Sequence, residues 1–358
     1  MRFFILISSK FHIPKPLLHQ KVLDIIELGL SVPDFQFYIV GDTPVDAFLD
    51  LEQNNDRVTI IDEQETKKIM GTLHQCIVLH FGGALKITHR FTSYFIPLTH
   101  PSNHKNLSFF KKWALEKSFK NFIQKAAATY VTNDGSFYFL KNKYKNFTSR
   151  IKEAYLPITT LPSFEWVALA EAKNKLTEGA NYFLAFQPLE AFVDMLKEFS
   201  VFKKWQQTNM SLVFIFENEL EIKQAKKLLA GYTFKDSIIT QSIDAFDISW
   251  LAAAYAVTLH TFHFNKTILM EMAIRFQIPL LINHNKNAPS FFPSSWTDAG
   301  EIFSFDEKGA LSNHFKLYYK DEQYRQSRIN LSKEWLTNYY AKREKSGMAC
   351  LPLSFNNH

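Results

Sequence analysis

The sequence predicts an α/β fold of two tandem, doubly wound domains. Its 358 residues exceed the roughly 100–200 of a single domain, and 46% hydrophobic against 21% charged residues supply apolar material for two cores. Short runs of β-branched and aromatic residues alternate with helical patterns along the whole chain, as a parallel sheet with crossover helices requires. The alternation breaks once, at Leu156-Pro157-Ile158-Thr159-Thr160-Leu161-Pro162, where two prolines and the lack of helical period mark an inter-domain linker.

In the first half the spacing predicts strands at 3–8, 36–40, 58–61, 76–80, 94–98, 129–132 and 151–155, with helices at 18–28 and 107–125. A short helix at 165–176 leads into the second half, with strands at 182–186, 211–216, 237–240, 257–261 and 279–283 and a short last one at 302–305. Helices are predicted at 219–229, 248–255 and 267–276, and Leu189, Phe192, Val193, Leu196, Phe199 and Phe202 form the apolar face of another. A charged helical tail follows over 318–340. The domain reading is 1–160 for the first Rossmann-like domain, 161–180 for the linker, 181–322 for the second domain and 323–358 for the tail. In doubly wound sheets ligands bind at the carboxyl ends of the strands where the strand order reverses, so a cleft between two such domains is the expected site.

Composition narrows the chemistry. The 35 phenylalanines against 11 glycines read as core and interface packing. A net charge of +6 and a pI near 9.0 suit either a mildly basic surface or an anionic partner such as a nucleotide diphosphate, an acidic polysaccharide or a membrane. No nucleic-acid module is present in the sequence. Cys76, in an apolar run, and the distant Cys350 make no disulfide framework, which favours a reducing, cytoplasmic compartment. The apolar start Phe3-Phe4-Ile5-Leu6-Ile7 is too short for a signal peptide and reads as a buried strand. No run approaches the roughly 18 apolar residues of a membrane span. Walker A, G-x-S-x-G, GxGxxG and H-E-x-x-H motifs are all missing.

Several phrases, in order, carry a family likeness. Gly179-Ala180-Asn181-Tyr182-Phe183-Leu184 opens the second half. Asn209-Met210-Ser211-Leu212-Val213-Phe214-Ile215 gives its next strand, and Trp250-Leu251-Ala252-Ala253-Ala254-Tyr255-Ala256-Val257 a helix-to-strand turn. Glu271-Met272-Ala273 precedes Ile278-Pro279-Leu280-Leu281, and in the first half Thr129-Tyr130-Val131-Thr132-Asn133-Asp134 closes a domain. This order resembles the group 1, nucleotide-sugar-using glycosyltransferases of GT-B fold, most specifically over 179–282. The resemblance implies two Rossmann-like domains facing a cleft, and metal-independent, retaining transfer of a sugar from a nucleotide-sugar to a glycan or lipid-linked acceptor. The nucleotide-sugar is substrate; no cofactor and no metal site is implied.

The same resemblance implies roles residue by residue. Glu271 stands where the family has the second of two donor-site glutamates eight residues apart. The first position holds His263, and the turn His263-Phe264-Asn265-Lys266-Thr267 has no glycine. Donor binding would fall to His263, Asn265, Lys266 and Thr267 at a helix N-terminus, with Lys266 as a point charge on the diphosphate. In the first half His80 would face the reaction centre, and Gly82 and Gly83 would let backbone N–H groups line the acceptor. His12 and His100 complete the acceptor side, the latter in the basic run His100-Pro101-Ser102-Asn103-His104-Lys105. The lost glutamate and glycine also sustain a rival reading, a catalytically inactive GT-B-like scaffold or glycan-binding partner subunit. A periplasmic-binding-type receptor is a weaker reading. The helix carrying Lys111, Lys112, Lys117, Lys120 and Lys125 beside Trp113, Phe119 and Phe122 reads either as a solvated amphipathic helix on the sheet or as a dock for an anionic membrane at the inner surface.

Overall fold

Among the described residues, runs of apolar residues place thirteen strands. β1 (Arg2–Ile7), β2 (Gln36–Gly41), β3 (Val58–Ile61), β4 (Ile77–Phe81), β5 (Thr92–Phe95), β6 (Ala128–Val131) and β7 (Ile151–Glu153) form a seven-stranded sheet. β8 (Tyr182–Phe186), β9 (Ser211–Phe216), β10 (Ile238–Ser242), β11 (Ala256–His260), β12 (Leu280–Asn283) and β13 (Glu301–Phe303) form a six-stranded one. The computed structural model describes residues 1–7, 15–41, 48–81, 90–98, 100–101, 108–132, 134–158, 161–205, 209–260, 266–284, 298–348 and 350–351.

All pairings are parallel. The orders are β3-β2-β1-β4-β5-β6-β7 and β10-β9-β8-β11-β12-β13, the doubly wound arrangement. Parallel strands need a crossover, and helices supply it on both faces, which is why the central strands are buried along their whole length. The strand order reverses between β1 and β4 in one sheet and between β8 and β11 in the other.

The helices are α1 (Lys15–Leu30), α2 (Leu49–Asn54), α3 (Glu63–Thr72), α4 (Phe109–Lys125), α5 (Asp134–Lys143), α6 (Trp166–Thr177), α7 (Phe192–Trp205), α8 (Glu219–Leu229), α9 (Ile248–Ala252), α10 (Lys266–Arg275), α11 (Ala310–Lys320) and α12 (Glu322–Lys345). Two compact units result: Met1–Thr160 with Lys342–His358, and Leu161–Ala341.

Each strand expected from the sequence is present within a few residues. The tail differs: in place of one helix over 318–340 there are two, α11 and α12. Asp321 separates them. Its backbone is extended, and its carboxylate accepts from the Tyr324 N–H at 2.8 Å, which ends one helix and caps the next. In a run of charged residues this cap reads as one more surface acid. The start of α11 is fixed from outside. Gly309 is left-handed at φ 83°, and Glu198 on α7 accepts from the N–H groups of Gly309 and Ser312 at 3.0 and 2.9 Å.

Phenylalanine builds both cores. In the first unit Phe4 stacks on its register partner Tyr38 at 4.8 Å, and Gly29 of α1 leaves room for the Phe37 ring, which a Cβ would strike. In the second unit α7 and α11 close over the sheet. Phe315 stacks on Phe183 at 4.0 Å and meets Phe199 and Phe202 edge-on, all fully buried. Phe315→Ala should therefore cost about 3–5 kcal/mol, read as a lowered urea midpoint of the second unit. A loss under about 1 kcal/mol would contradict this packing.

Candidate functional site

In the second unit the switch point lies between β8 and β11. β8 ends at Phe186, and the next residue, Gln187, is buried at 3% exposure. β12 ends at Asn283, also 3% exposed, whose Nδ2 donates to Gln187 Oε1 at 3.2 Å. The Gln187 Nε2 has no hydrogen-bond partner among the described residues. A buried amide donor without a partner costs the full desolvation of that group, so such groups concentrate where a ligand supplies the acceptor. β11 ends beside them at the buried His260.

α10 begins six residues after β11 ends. Its first turn carries no acidic residue, whereas the segment leading from β8 into α7 carries Glu190 and Asp194. Of the two helix N-termini at this switch point, α10 is the one that favours an anion. Thr267, buried, stands in its first turn, and Lys266 opens it. His263 and Asn265 lie outside the described residues, as does the Lys266 side chain.

Glu271 is one turn further along α10, 3% exposed. Arg275, four residues on, donates Nε to Oε1 at 3.2 Å, and the Tyr340 hydroxyl of α12 donates to Oε2 at 2.7 Å. Both carboxylate oxygens are engaged inside the unit. Burial first, and then the Glu271 charge, hold the Tyr340 phenol well above its ordinary value of 10.0.

In the first unit His80 lies in β4 at the switch point, 5% exposed, with its ring 5.5 Å from Phe122 of α4. Gly82, Gly83 and His12 lie outside the described residues. His100, beyond β5, is fully buried between Phe119 and Phe139, both edge-on at 4.8 and 4.9 Å. Its Nε2 is 3.0 Å from the Tyr144 hydroxyl. That hydroxyl donates to Glu116 at 2.5 Å, so its oxygen is the acceptor for His100. Lys143 pairs with the same carboxylate at 3.1 Å. Burial and the Glu116 carboxylate raise the Tyr144 phenol. His80 and His100 thus share the underside of α4. Among the described residues no group of three or more His, Cys, Asp or Glu is placed to hold a metal ion.

The structure adds Gln187, Asn283 and His260 to the residues read from the sequence. Their sequence signal is one polar residue at or just past the end of an apolar strand, in β8 and β11 at the reversal and in β12 beside them.

No family model and no curated protein matches the chain. Solved structures do. The chain is similar to Anabaena HepE in complex with UDP and glucose, at 12% identity and a TM-score of 0.65, over 97% of this chain and 100% of that one. It is similar to a glycosyltransferase from Rickettsia africae, at 11% identity and 0.61, over 94% and 93%. A putative UDP-N-acetylglucosamine 2-epimerase from Listeria monocytogenes follows at 11% and 0.54, over 93% and 92%. The fold is therefore that of the GT-B glycosyltransferases, with two Rossmann-like units.

Tyr340→Phe leaves one oxygen of a buried carboxylate without its donor and should destabilise the second unit by about 1–3 kcal/mol at neutral pH. The folded-state phenol pKa is raised, so the stability it contributes is complete below pH 10.0 and fades as pH climbs above that toward the folded value. Urea midpoints of the wild-type chain should fall across that alkaline window, and those of Tyr340→Phe should fall less. Parallel pH profiles would refute the assignment.

Proposed function

We propose that the chain is a glycosyltransferase that moves a sugar from a nucleotide-sugar to a glycan or lipid-linked acceptor. The observation that carries the reading is the Gln187–Asn283 amide pair, buried at the carboxyl ends of β8 and β12, whose Nε2 donor has no partner among the described residues. The acid-free N-terminus of α10 opens beside it on the same sheet edge. A nucleoside diphosphate fits this combination: its phosphates take the helix N-terminus and Lys266, and an oxygen of the sugar or the base accepts from Gln187. HepE, with 12% identity on the same fold, holds UDP and glucose, and this supports the choice of donor.

Transfer then proceeds without a metal. The bond between the anomeric carbon and the diphosphate oxygen breaks, the acceptor hydroxyl oxygen forms the new bond, and the hydroxyl proton leaves with the diphosphate. The developing diphosphate charge is met by the α10 dipole, the Thr267 region and Lys266. His80, near the carboxyl end of β4, and Gly82 and Gly83 after it in the sequence receive the acceptor. Retention of configuration and a cytoplasmic location follow from the family resemblance and the cysteine usage.

One observation favours the scaffold reading. Glu271 spends both carboxylate oxygens on Arg275 and Tyr340, which leaves it a structural part of α10 and α12. Calorimetric titration with UDP, GDP and their common sugars, followed by detection of released diphosphate, separates the readings. Saturable binding is expected. Gln187→Leu should weaken it by about tenfold, which is about 1.4 kcal/mol, in protein shown to be folded at the titration temperature, since the substitution also costs the Asn283 bond. Binding without turnover over a panel of acceptors would support the scaffold. Flat heats from folded protein would overturn both the donor site and the transferase.

A further inference from the structure

We propose that Asn283 is a positioning residue that fixes which end of the Gln187 amide meets the nucleotide-sugar, so that this point takes an acceptor oxygen and refuses an amino or N–H group. The inference rests on the nucleotide-sugar reading and adds to it the kind of ligand atom that this point selects.

The amide pair extends the apolar face of the second sheet. Side chains alternate along a strand, so Gln187, one residue past β8, continues the row of Phe183 and Ala185, and Asn283 continues from Leu281. Those three belong to the core under α7 and α11, together with Phe199 and Phe315. The pair is the layer in which this core gives way to polar groups. Asn283 lies between its register partners, His260 on β11 and Phe303 on β13. Both amides are buried, so neither can trade its protein partner for water at low cost.

A carboxamide has two ends of similar shape and opposite character: the oxygen accepts, and the nitrogen donates. Packing therefore does not choose which end faces a ligand, and a single hydrogen bond can. Asn283 Nδ2 donates to Gln187 Oε1 at 3.2 Å. This occupies the carbonyl and leaves Nε2 as the end with no partner among the described residues. The half-turned amide would set Nε2 against Nδ2, donor against donor, in a buried place where an unmade bond is expensive. Asn283 thus holds Gln187 as an N–H donor toward the carboxyl edge of the sheet. An oxygen of a diphosphate, a sugar or a base carbonyl satisfies it. An amino or N–H group at the same point would leave two donors facing each other, which is discrimination by an unpaired polar group.

Calorimetric titration of the full chain with UDP tests the assignment, with folding of each variant confirmed by circular dichroism at the titration temperature. Asn283→Asp keeps the shape of the side chain but offers only acceptors. The Gln187 amide then turns Nε2 to the carboxylate and its carbonyl to the ligand. Asn283→Leu removes the bond and leaves the amide free to turn either way. A merely structural role makes the near-isosteric aspartate the milder change. The positioning role makes it the worse one: UDP affinity should fall about thirtyfold in Asn283→Asp and about threefold in Asn283→Leu. A double-mutant cycle separates the turned amide from the added charge. In a Gln187→Leu background no amide remains to turn, so Asn283→Asp should cost less than about threefold more. Gln187→Glu approaches from the other side and serves if the aspartate variant does not fold. Asn283 then engages one carboxylate oxygen, the other faces the ligand, and affinity should fall further than in Gln187→Leu. Equal losses in Asn283→Asp and Asn283→Leu, an aspartate penalty undiminished in the Gln187→Leu background, or Gln187→Glu binding as well as Gln187→Leu would overturn the positioning role and leave the donor site standing. Flat heats from folded wild-type protein would remove the donor site itself, and the inference with it.

Discussion

Everything in the chain follows from the demand that parallel strands make. A parallel neighbour cannot be reached by a tight turn, so each pair needs a crossover, and each crossover helix must bury an apolar stripe on the sheet. Both sheets are parallel throughout, and their central strands are sealed on both faces. The same demand brings every strand's carboxyl end to one edge and every following helix's N-terminus to that edge as well. Polar residues at strand ends, such as Gln187, His260 and Asn283, are thereby gathered without any motif in the chain. The candidate donor site is a by-product of topology before it is a matter of individual residues.

What the residues add is a division of labour on one helix. The first turn of α10 is left without acids and faces the strand ends, whereas its second turn commits Glu271 to Arg275 and Tyr340. A buried carboxylate removed from either partner would be expensive, so this triad fixes α10 against α12. A fixed helix is what an anion-binding N-terminus needs, since its donors must not reorganise when charge arrives. The phenylalanine-rich packing of α7 and α11 serves the same end by holding β8, the other wall of the switch point.

The fold was legible because its signal is local. Runs such as Tyr182–Phe186 and Ser211–Phe216 announce buried strands within five or six residues, and all thirteen appear where they were expected. The tail misled because a helix break made by one aspartate, Asp321, leaves no trace in hydrophobic period. In α4, helical spacing grouped Trp113 with Phe119, yet Phe119 is in the core and Trp113 is in water. The site was much less legible. Its amide pair joins residues 96 apart and the Glu271–Tyr340 bond residues 69 apart, and pairings at that range follow from topology alone. His100 reads as an acceptor ligand when seen as one of a basic run, but its ring is enclosed by Phe119, Phe139 and Tyr144.

The first unit is not continuous in the chain. Its closing pieces come from residues 342–351: Arg343 donates to Glu153 at 2.9 Å, Cys350 bridges to Tyr155, and the Leu351 N–H donates to the Tyr155 carbonyl at 3.0 Å. The second unit, Leu161–Ala341, is continuous. During synthesis the N-terminal sheet emerges first, but its last contacts cannot form until the whole second unit has left the ribosome. The order of completion is therefore the reverse of the order of translation. A chain cut off and released after residue 341 would carry a complete second unit and a first unit still missing its seal.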